Sequence, residues 1–350
     1  MNSNQPKKLK KLSIGIFYPD IDDPGGYSRD ILRLFNELCE NKDIKVHKLK
    51  NIKQLINSGK ELDVIHIFGV FSHSVVLAGL YCWLISNPFI ITTFSHLMPF
   101  AMAKGNRKKK SFLNFIGKFI LNKARRIHVF TKFEEKELRN LGIKTPVTKI
   151  LLGIYPEDLQ AMGSNIDSKI SSIKRPFIAF LGRLDIYQKG IDILIDGFEK
   201  YLKTNSKYRL IICGQDWQGG KTFVENKLEE LGNPDQISFL GAVSEDEKNW
   251  IIENSEAFVY PSRFDGPPRP LRFALVKKKK ILASYQSNIG DNIEEKGWGL
   301  LFDANAEAIS SVLSEFEKKT DWAEYENPSK SLAWDILTLE YVALYQAIIL

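Results

Sequence analysis

The chain predicts an α/β protein built from two doubly wound halves, each a parallel sheet with helices on both faces. Three observations carry this. Short apolar, β-branched runs alternate with stretches of helical spacing along nearly the whole length, and repeated strand–helix units call for a parallel sheet. A Ser/Asn/Asp/Lys-rich stretch at 160–175 interrupts the alternation, which then restarts. With 350 residues and 44% apolar composition, the chain is too long for one ordinary core and can bury two.

The first half begins with a strand over 12–18, a turn at Pro24-Gly25-Gly26 and a helix over 28–40 with Ile31, Leu32, Phe35 and Leu38 on one face. A weaker strand follows at 44–47 and a fully apolar one at 64–68. Residues 75–85 read as a buried helix and 89–93 as a strand. Ser86-Asn87-Pro88 ends the apolar run after eleven residues, short of the roughly 20 that a membrane-spanning helix needs. Next come a helix at 112–123, a strand at 127–130, a short helix at 134–141 stopped by Gly142, and a strand at 147–151.

In the second half, strands are expected at 177–181, 208–213, 237–240, 257–260 and 281–284. Helices are expected at 190–204, 221–231, 245–255, 270–277, 306–319 and, last, 331–350. The expected division is a first domain over 1–160, a second over 161–330, and the closing helix 331–350.

The net charge of +7 hides an asymmetry. Residues 1–150 hold 26 Lys/Arg against 12 Asp/Glu, and residues 151–350 hold 23 against 30. The two halves therefore face different partners. Cys39, Cys82 and Cys213 are far apart and odd in number. They form neither a disulfide framework nor a metal-ligand spacing, which points to a reducing compartment. The lysine-rich N-terminus shows no apolar run before Leu12, so a secretory signal is not expected.

Glycines just after strands are where such sheets bind ligands. Gly182-Arg183-Leu184, with Lys189-Gly190 following, ends a strand and puts two cations six residues apart before a helix. Free N–H groups and the positive dipole end of that helix suit a diphosphate. A surface loop with two solvated cations would show the same residues. Gly214 and Gly241 also end strands, with Val243 just beyond the second. Either glycine could admit a ligand to the backbone or simply make a turn. The segment from Pro261 to Ala274 leaves a strand, turns through Asp265-Gly266-Pro267-Pro268 and enters a helix with Pro270 near its first position. Asp265 could accept hydrogen bonds from sugar hydroxyls.

Taken in order, these segments resemble the retaining, metal-independent family 4 glycosyltransferases of the GT-B fold, part of glycosyl transferases group 1. The resemblance rests on Gly182-Arg183-Leu184 with Lys189-Gly190, Phe239-Leu240-Gly241, Tyr260-Pro261-Ser262 with Asp265-Gly266, Asn288-Ile289-Gly290 and Gly297. It is specific over 176–303 and looser over 12–152. It implies two Rossmann-like domains facing across a cleft, with the helix from Ser331 crossing back to the first. It further implies that Arg183 and Lys189 pair with the donor diphosphate, stabilising leaving-group charge without a metal. Asp265, with Gly266 and the backbone after it, would hold the donor sugar, and Gly182 and Gly214 would border the site. The backbone of Gly241 to Val243 would meet the base. Gly25 and Gly26 would sit across the cleft near phosphate or acceptor. No cofactor is implied beyond the sugar nucleotide as co-substrate.

The chain departs from the family pattern in three places. The family has a glutamate eight positions after the first acid, which accepts hydrogen bonds from the ribose diol; here Phe273 follows Asp265 at that distance. Losing two charge-assisted bonds removes roughly 1.5–3 kcal/mol each. Pro267-Pro268 offers no backbone N–H. His96 lies one or two positions from where relatives carry a histidine after the corresponding strand, which keeps it as an acceptor-side candidate. His66 and His73 read as satisfied structural histidines.

Residues 104–126 hold nine basic residues and no acidic one, interleaved with Phe112, Leu113, Phe115, Ile116, Phe119, Ile120 and Leu121. This is either a helix that docks on anionic lipid or a core-facing helix with a solvated basic rim. Nothing resembles a nucleic-acid module. The function expected is transfer of a sugar from a nucleotide-diphosphate donor to a hydroxyl acceptor on a surface polysaccharide or lipid-linked glycan. The expected place is the cytoplasm, at the inner face of the membrane if the basic segment docks. The alternative is a non-catalytic partner of the same fold whose donor site is weakened at Phe273.

Overall fold

The computed structural model describes residues 11–22, 26–103, 106–154, 166–204, 207–232, 234–266, 268–287, 291–322 and 324–349. Gly25, the segment Asn288-Ile289-Gly290 and most of the expected interdomain connection fall outside them.

The first half runs β1 (Leu12–Phe17), α1 (Gly26–Glu40), β2 (Ile44–Leu49), α2 (Ile52–Ser58), β3 (Val64–Phe68), α3 (His73–Leu84) and β4 (Phe89–Thr92). It continues through α4 (Pro99–Ala103), α5 (Asn106–Phe112), α6 (Lys118–Lys123), β5 (Arg126–Val129), α7 (Lys132–Asn140) and β6 (Val147–Lys149). The second half runs α8 (Ser168–Ser171), β7 (Phe177–Leu181), α9 (Ile186–Lys189), α10 (Ile191–Leu202), β8 (Arg209–Cys213), α11 (Gly220–Glu230) and β9 (Ile237–Gly241). After it come α12 (Glu245–Asn254), β10 (Ala257–Tyr260), α13 (Arg269–Val276), β11 (Lys280–Ser284), α14 (Asp291–Glu295), β12 (Gly299–Phe302), α15 (Ala306–Lys318), α16 (Pro328–Ser331) and α17 (Trp334–Ile349).

The strands form two six-stranded sheets, ordered β2-β1-β3-β4-β5-β6 and β12-β11-β10-β7-β8-β9. Their pairings are parallel. Strand order reverses between β1 and β3 in one sheet and between β7 and β10 in the other. At such switch points the loops diverge and leave a crevice at the carboxyl ends of the strands. The loop carrying Gly182 and Arg183 follows β7, and the loop carrying Asp265 follows β10. Topology therefore brings two segments some 80 residues apart to one crevice.

Helices cover both faces of each sheet, because strands buried on both sides must be covered on both. In the first sheet α3, α6 and α7 cover one face, and α1 and α17 the other. The expected crossing of the last helix is present: Trp334, Leu337, Tyr341, Leu344 and Tyr345 lie in the core with Ile14, Ile16 and Leu34. Residues Pro328–Ile349 are long and apolar enough to cross a membrane by length and composition, yet this buried face ties them to the first sheet. Where the chain crosses between halves, Ile154 N–H donates to the Leu332 carbonyl at 2.9 Å. Gly153 lies flat on Trp334, where a Cβ would come within 2.6 Å of the indole.

Three expected helices differ in detail. The run 190–204 is α10, but a one-turn helix, α9, precedes it, and Gly190 with a φ of +66° separates the two. The run 112–123 is α5, a π-helical turn over Leu113–Gly117, and α6. The last helix is broken between Ser331 and Trp334. Residues 75–85, expected to be buried, form a helix with one exposed apolar face that includes Leu77, Trp83 and Leu84.

Candidate functional site

The loop after β7 folds tightly on its neighbours. Gly182 N–H donates to the Cys213 carbonyl, and Gly214 N–H to the Gly241 carbonyl at 2.8 Å. A Cβ at Gly214 would fall on the Gly182 carbonyl oxygen, so glycine there is explained by chain packing. Gly241 is different. Its φ is +71° and nothing lies within 4 Å of where its Cβ would be, so its backbone borders open space. Val243 is half-buried against the core. Asp185 then caps α9, accepting from Gln188 N–H at 2.9 Å.

That short turn aims Lys189 inward. Gly190 makes this possible, since a Cβ there would strike the Pro261 carbonyl oxygen. Lys189 Nζ donates to the Tyr260 hydroxyl at 2.6 Å and pairs with Asp265. Tyr260 donates its own proton to Asp265 at 2.6 Å. Burial and the Asp265 charge push the Tyr260 hydroxyl well above its ordinary range, so it stays a donor. Two of the expected site residues, Lys189 and Asp265, are thus in direct contact. Arg183 stands outside them, exposed, with its guanidinium 4.4 Å from the centre of the Trp217 ring. The crevice therefore offers one exposed cation at its mouth and one fixed, carboxylate-paired cation at its floor.

Across the cleft, α1 begins at Gly26. Tyr27 stacks on Phe94, ring centroids 4.3 Å apart. Its hydroxyl oxygen accepts from Gly266 N–H at 3.1 Å, and a Cβ at Gly266 would come within 2.6 Å of the Tyr27 ring. One turn on, Asp30 accepts from Arg272 of α13, while another Arg272 nitrogen donates to the Gly153 carbonyl. Both side chains are buried. The first helix thus meets the loop and helix after β10 directly.

His96 lies beside this contact, its ring 6.2 Å from that of Tyr27. Burial, then the nearby Lys109 charge, push its imidazole down to about 4. Its Nδ1 is buried and without a hydrogen-bond partner among the described residues. Phe94 and Ser95, just before it, have φ of 48° and 58°, a conformation that costs non-glycine residues free energy. Buried Glu134 holds them there, accepting from Thr93 Oγ1, Ser95 N–H and Phe130 N–H.

Phe273 sits on α13 in the core of the second half, with Lys248 Nζ 5.0 Å and Lys277 Nζ 5.6 Å from its ring centre. The position where a carboxylate is expected is an aromatic ring flanked by two cations. His66 is structural, as expected. Tyr345 donates to His66 Nδ1, His66 Nε2–H to Thr92, Thr92 to His128 Nδ1, and His128 Nε2–H to the Ile150 carbonyl. This assignment leaves no member of the chain unsatisfied. His73 instead is exposed at the start of α3.

Sequence reasoning missed Tyr27, Asp30, Arg272 and Glu134. Arg272 carried a signal, being a cation between Leu271 and Phe273 on the apolar face of an expected helix. A charge placed there must be paired. Asp30, beside Ile31 on the inward face of α1, carried the same one.

Residues 164–328 match the family model of glycosyl transferases group 1. The glycogen synthase of Thermodesulfovibrio yellowstonii is 27% identical over 188 residues, 51% of this chain and 36% of that one. The match thus spans little more than a third of that relative's length. Among solved structures, sucrose-phosphate synthase from Thermosynechococcus elongatus superposes with a TM-score of 0.69 at 14% identity, covering 96% of this chain and 99% of that one. Anabaena HepE, in complex with UDP and glucose, gives 0.66 at 13% identity, covering 96% and 100%. The chain has the GT-B fold, and its residues 164–328 are similar to glycosyl transferases group 1.

Proposed function

We propose that this chain is a glycosyltransferase that moves a sugar from a nucleoside-diphosphate donor to a hydroxyl acceptor with retention of configuration. The observation that carries the reading is the pair of cations at the β7/β10 switch point, Arg183 at the mouth and Lys189 at the floor beside Asp265.

As the bond from the anomeric carbon to the leaving phosphate oxygen breaks, negative charge grows on the diphosphate. Lys189, buried at the crevice floor, and Arg183, exposed at its mouth, meet that charge, and the buried, fixed cation acts most strongly. The leaving phosphate takes the proton of the incoming hydroxyl, and the new bond forms on the face it leaves. Asp265, oriented by Tyr260 and Lys189, accepts from hydroxyls of the donor sugar. The open backbone at Gly241 borders the base. The N–H groups that begin α1 face the phosphates or acceptor. These two cations supply the charge that a metal would otherwise supply. The acceptor class that fits is a surface polysaccharide or lipid-linked glycan.

The test is nucleotide release during incubation with a panel of sugar nucleotides and simple glycan acceptors. A UDP-sugar is the first donor to try, since Anabaena HepE binds UDP and glucose. Release with at least one donor, abolished in Lys189→Met, supports the reading. No release and no thermal stabilisation by any donor would favour the non-catalytic alternative.

A further inference from the structure

Residues 64–133 contain ten Lys or Arg and no Asp or Glu. Folding gathers much of this acid-free stretch on the side of the first sheet covered by α3 and α6. The two helices are packed closely, since a Cβ at Gly79 would come within 2.5 Å of Ile120 Cγ2. Their inner faces are buried through Val75, Ala78, Cys82, Ile120 and Leu121.

Their outer faces have no such cover. Leu77, Trp83, Leu84, Phe115 and Phe119 are all exposed, Phe115 at 85% and Leu84 at 71%. These are five of the twelve large exposed hydrophobic side chains among the described residues, all on one pair of helices and the turn leading into it. A scatter of single residues would need no explanation, but a cluster does. The π-helical turn Leu113–Gly117 contributes. It keeps Leu113 and Gly117 buried while Phe115 between them faces solvent. Trp83 and Phe119 pack edge to face at 4.9 Å, and Lys123 lies over both rings at 5.8 and 5.5 Å.

We propose that this surface docks the protein on an anionic lipid bilayer. An aromatic and aliphatic patch enters the headgroup boundary, while Lys110, Lys118, Lys123 and Arg125 reach anionic headgroups around it. Tryptophan favours that boundary and phenylalanine suits the apolar face that enters it, and a rim of cations without any neighbouring carboxylate in the sequence complements a negatively charged leaflet. The occupant follows from that charge. The proposal places the protein at the membrane surface and does not depend on the glycosyltransferase reading, because docking requires no donor.

The test is co-sedimentation of the full chain with vesicles of phosphatidylcholine alone and of phosphatidylcholine mixed with phosphatidylglycerol, at low salt. Binding is expected to the mixed vesicles and to be weak on neutral ones. It should fall about tenfold or more in Phe115→Ser/Phe119→Ser, and by a similar factor in Lys118→Gln/Lys123→Gln. An unchanged melting temperature would show that each variant is folded. No binding to anionic vesicles, equal binding to neutral ones, or binding that survives both double variants would overturn the proposal.

Discussion

Arg272 of α13 and Asp30 of α1 form a buried ion pair across the cleft, one guanidinium nitrogen lying 2.9 and 3.0 Å from the two carboxylate oxygens. The residues are 242 positions apart, so the pair acts as a clasp between the halves. Removing one member leaves a buried charge without its partner, which costs about 3–5 kcal/mol. Arg272→Met and Asp30→Leu are each expected to lose stability on that scale in chemical denaturation. The double variant, which buries no lone charge, should recover most of the loss. Additive losses in the double variant would contradict the pairing.

Phe273 stands where the resemblance to family 4 glycosyltransferases places a ribose-binding carboxylate, with two ammonium groups near its ring. A glutamate there would regain both partners for a diol and meet favourable charge from Lys248 and Lys277. Phe273→Glu is expected to tighten donor binding about tenfold or more, as one or two charge-assisted bonds at roughly 1.5–3 kcal/mol each would give. Isothermal titration checks this. Unchanged affinity would show that this position does not face the ribose.

Glu134 holds three donors at the strained turn before His96. Glu134→Ala leaves all three buried and unpaired, at about 1–3 kcal/mol each. The expected result is a loss of about 3 kcal/mol or more, with faster amide exchange at Ser95 and Phe130. Glu134→Gln keeps one acceptor oxygen and should lose less. Equal exchange in the wild type and Glu134→Ala would remove Glu134 from this role.

Buried His66 and His128, with half-buried His96, set an acid limit. Burial pushes His96 and His128 down to about 4 and His66 well below its ordinary range. The unfolded chain then binds more protons than the folded one below about pH 6.5, so stability falls as pH drops from there towards 4. At pH 5 His96 and His128 each cost about 2 kcal/mol relative to pH 7. The melting temperature should be flat from pH 8 to 7 and fall steeply below 6.5. His128→Asn should shallow that slope, and an identical slope would contradict it.

Much of the fold is legible in the sequence for a physical reason. Parallel strands buried on both faces read as continuous apolar runs, and 64–68, 177–181 and 257–260 match the observed strands residue for residue. The one-turn helix α9 is not legible, because the expected helix begins at Gly190 and the Pro261 carbonyl that requires this glycine comes from a distant loop. Nor is the π-helical turn at Leu113–Gly117, a shift of backbone bonding that leaves no mark in composition. Strand β12 opens on Gly299, and a glycine weakens the strand pattern. In the site, Lys189 and Asp265 are legible from their places after strands. Tyr27 and the Asp30–Arg272 pair are not, because each depends on how one half meets the other.

The switch-point crevice is expected to bind a nucleoside diphosphate through Arg183 and Lys189. The most direct test is a thermal-shift titration of nucleoside diphosphates against the wild type and Arg183→Ala. Arg183 is exposed and touches mainly Trp217, so its removal should leave the fold intact. At least one diphosphate is expected to raise the wild-type melting temperature in a saturable way, and the variant should need about tenfold or more ligand for the same rise. No stabilisation by any nucleoside diphosphate, or the same titration curve in Arg183→Ala, would contradict the account.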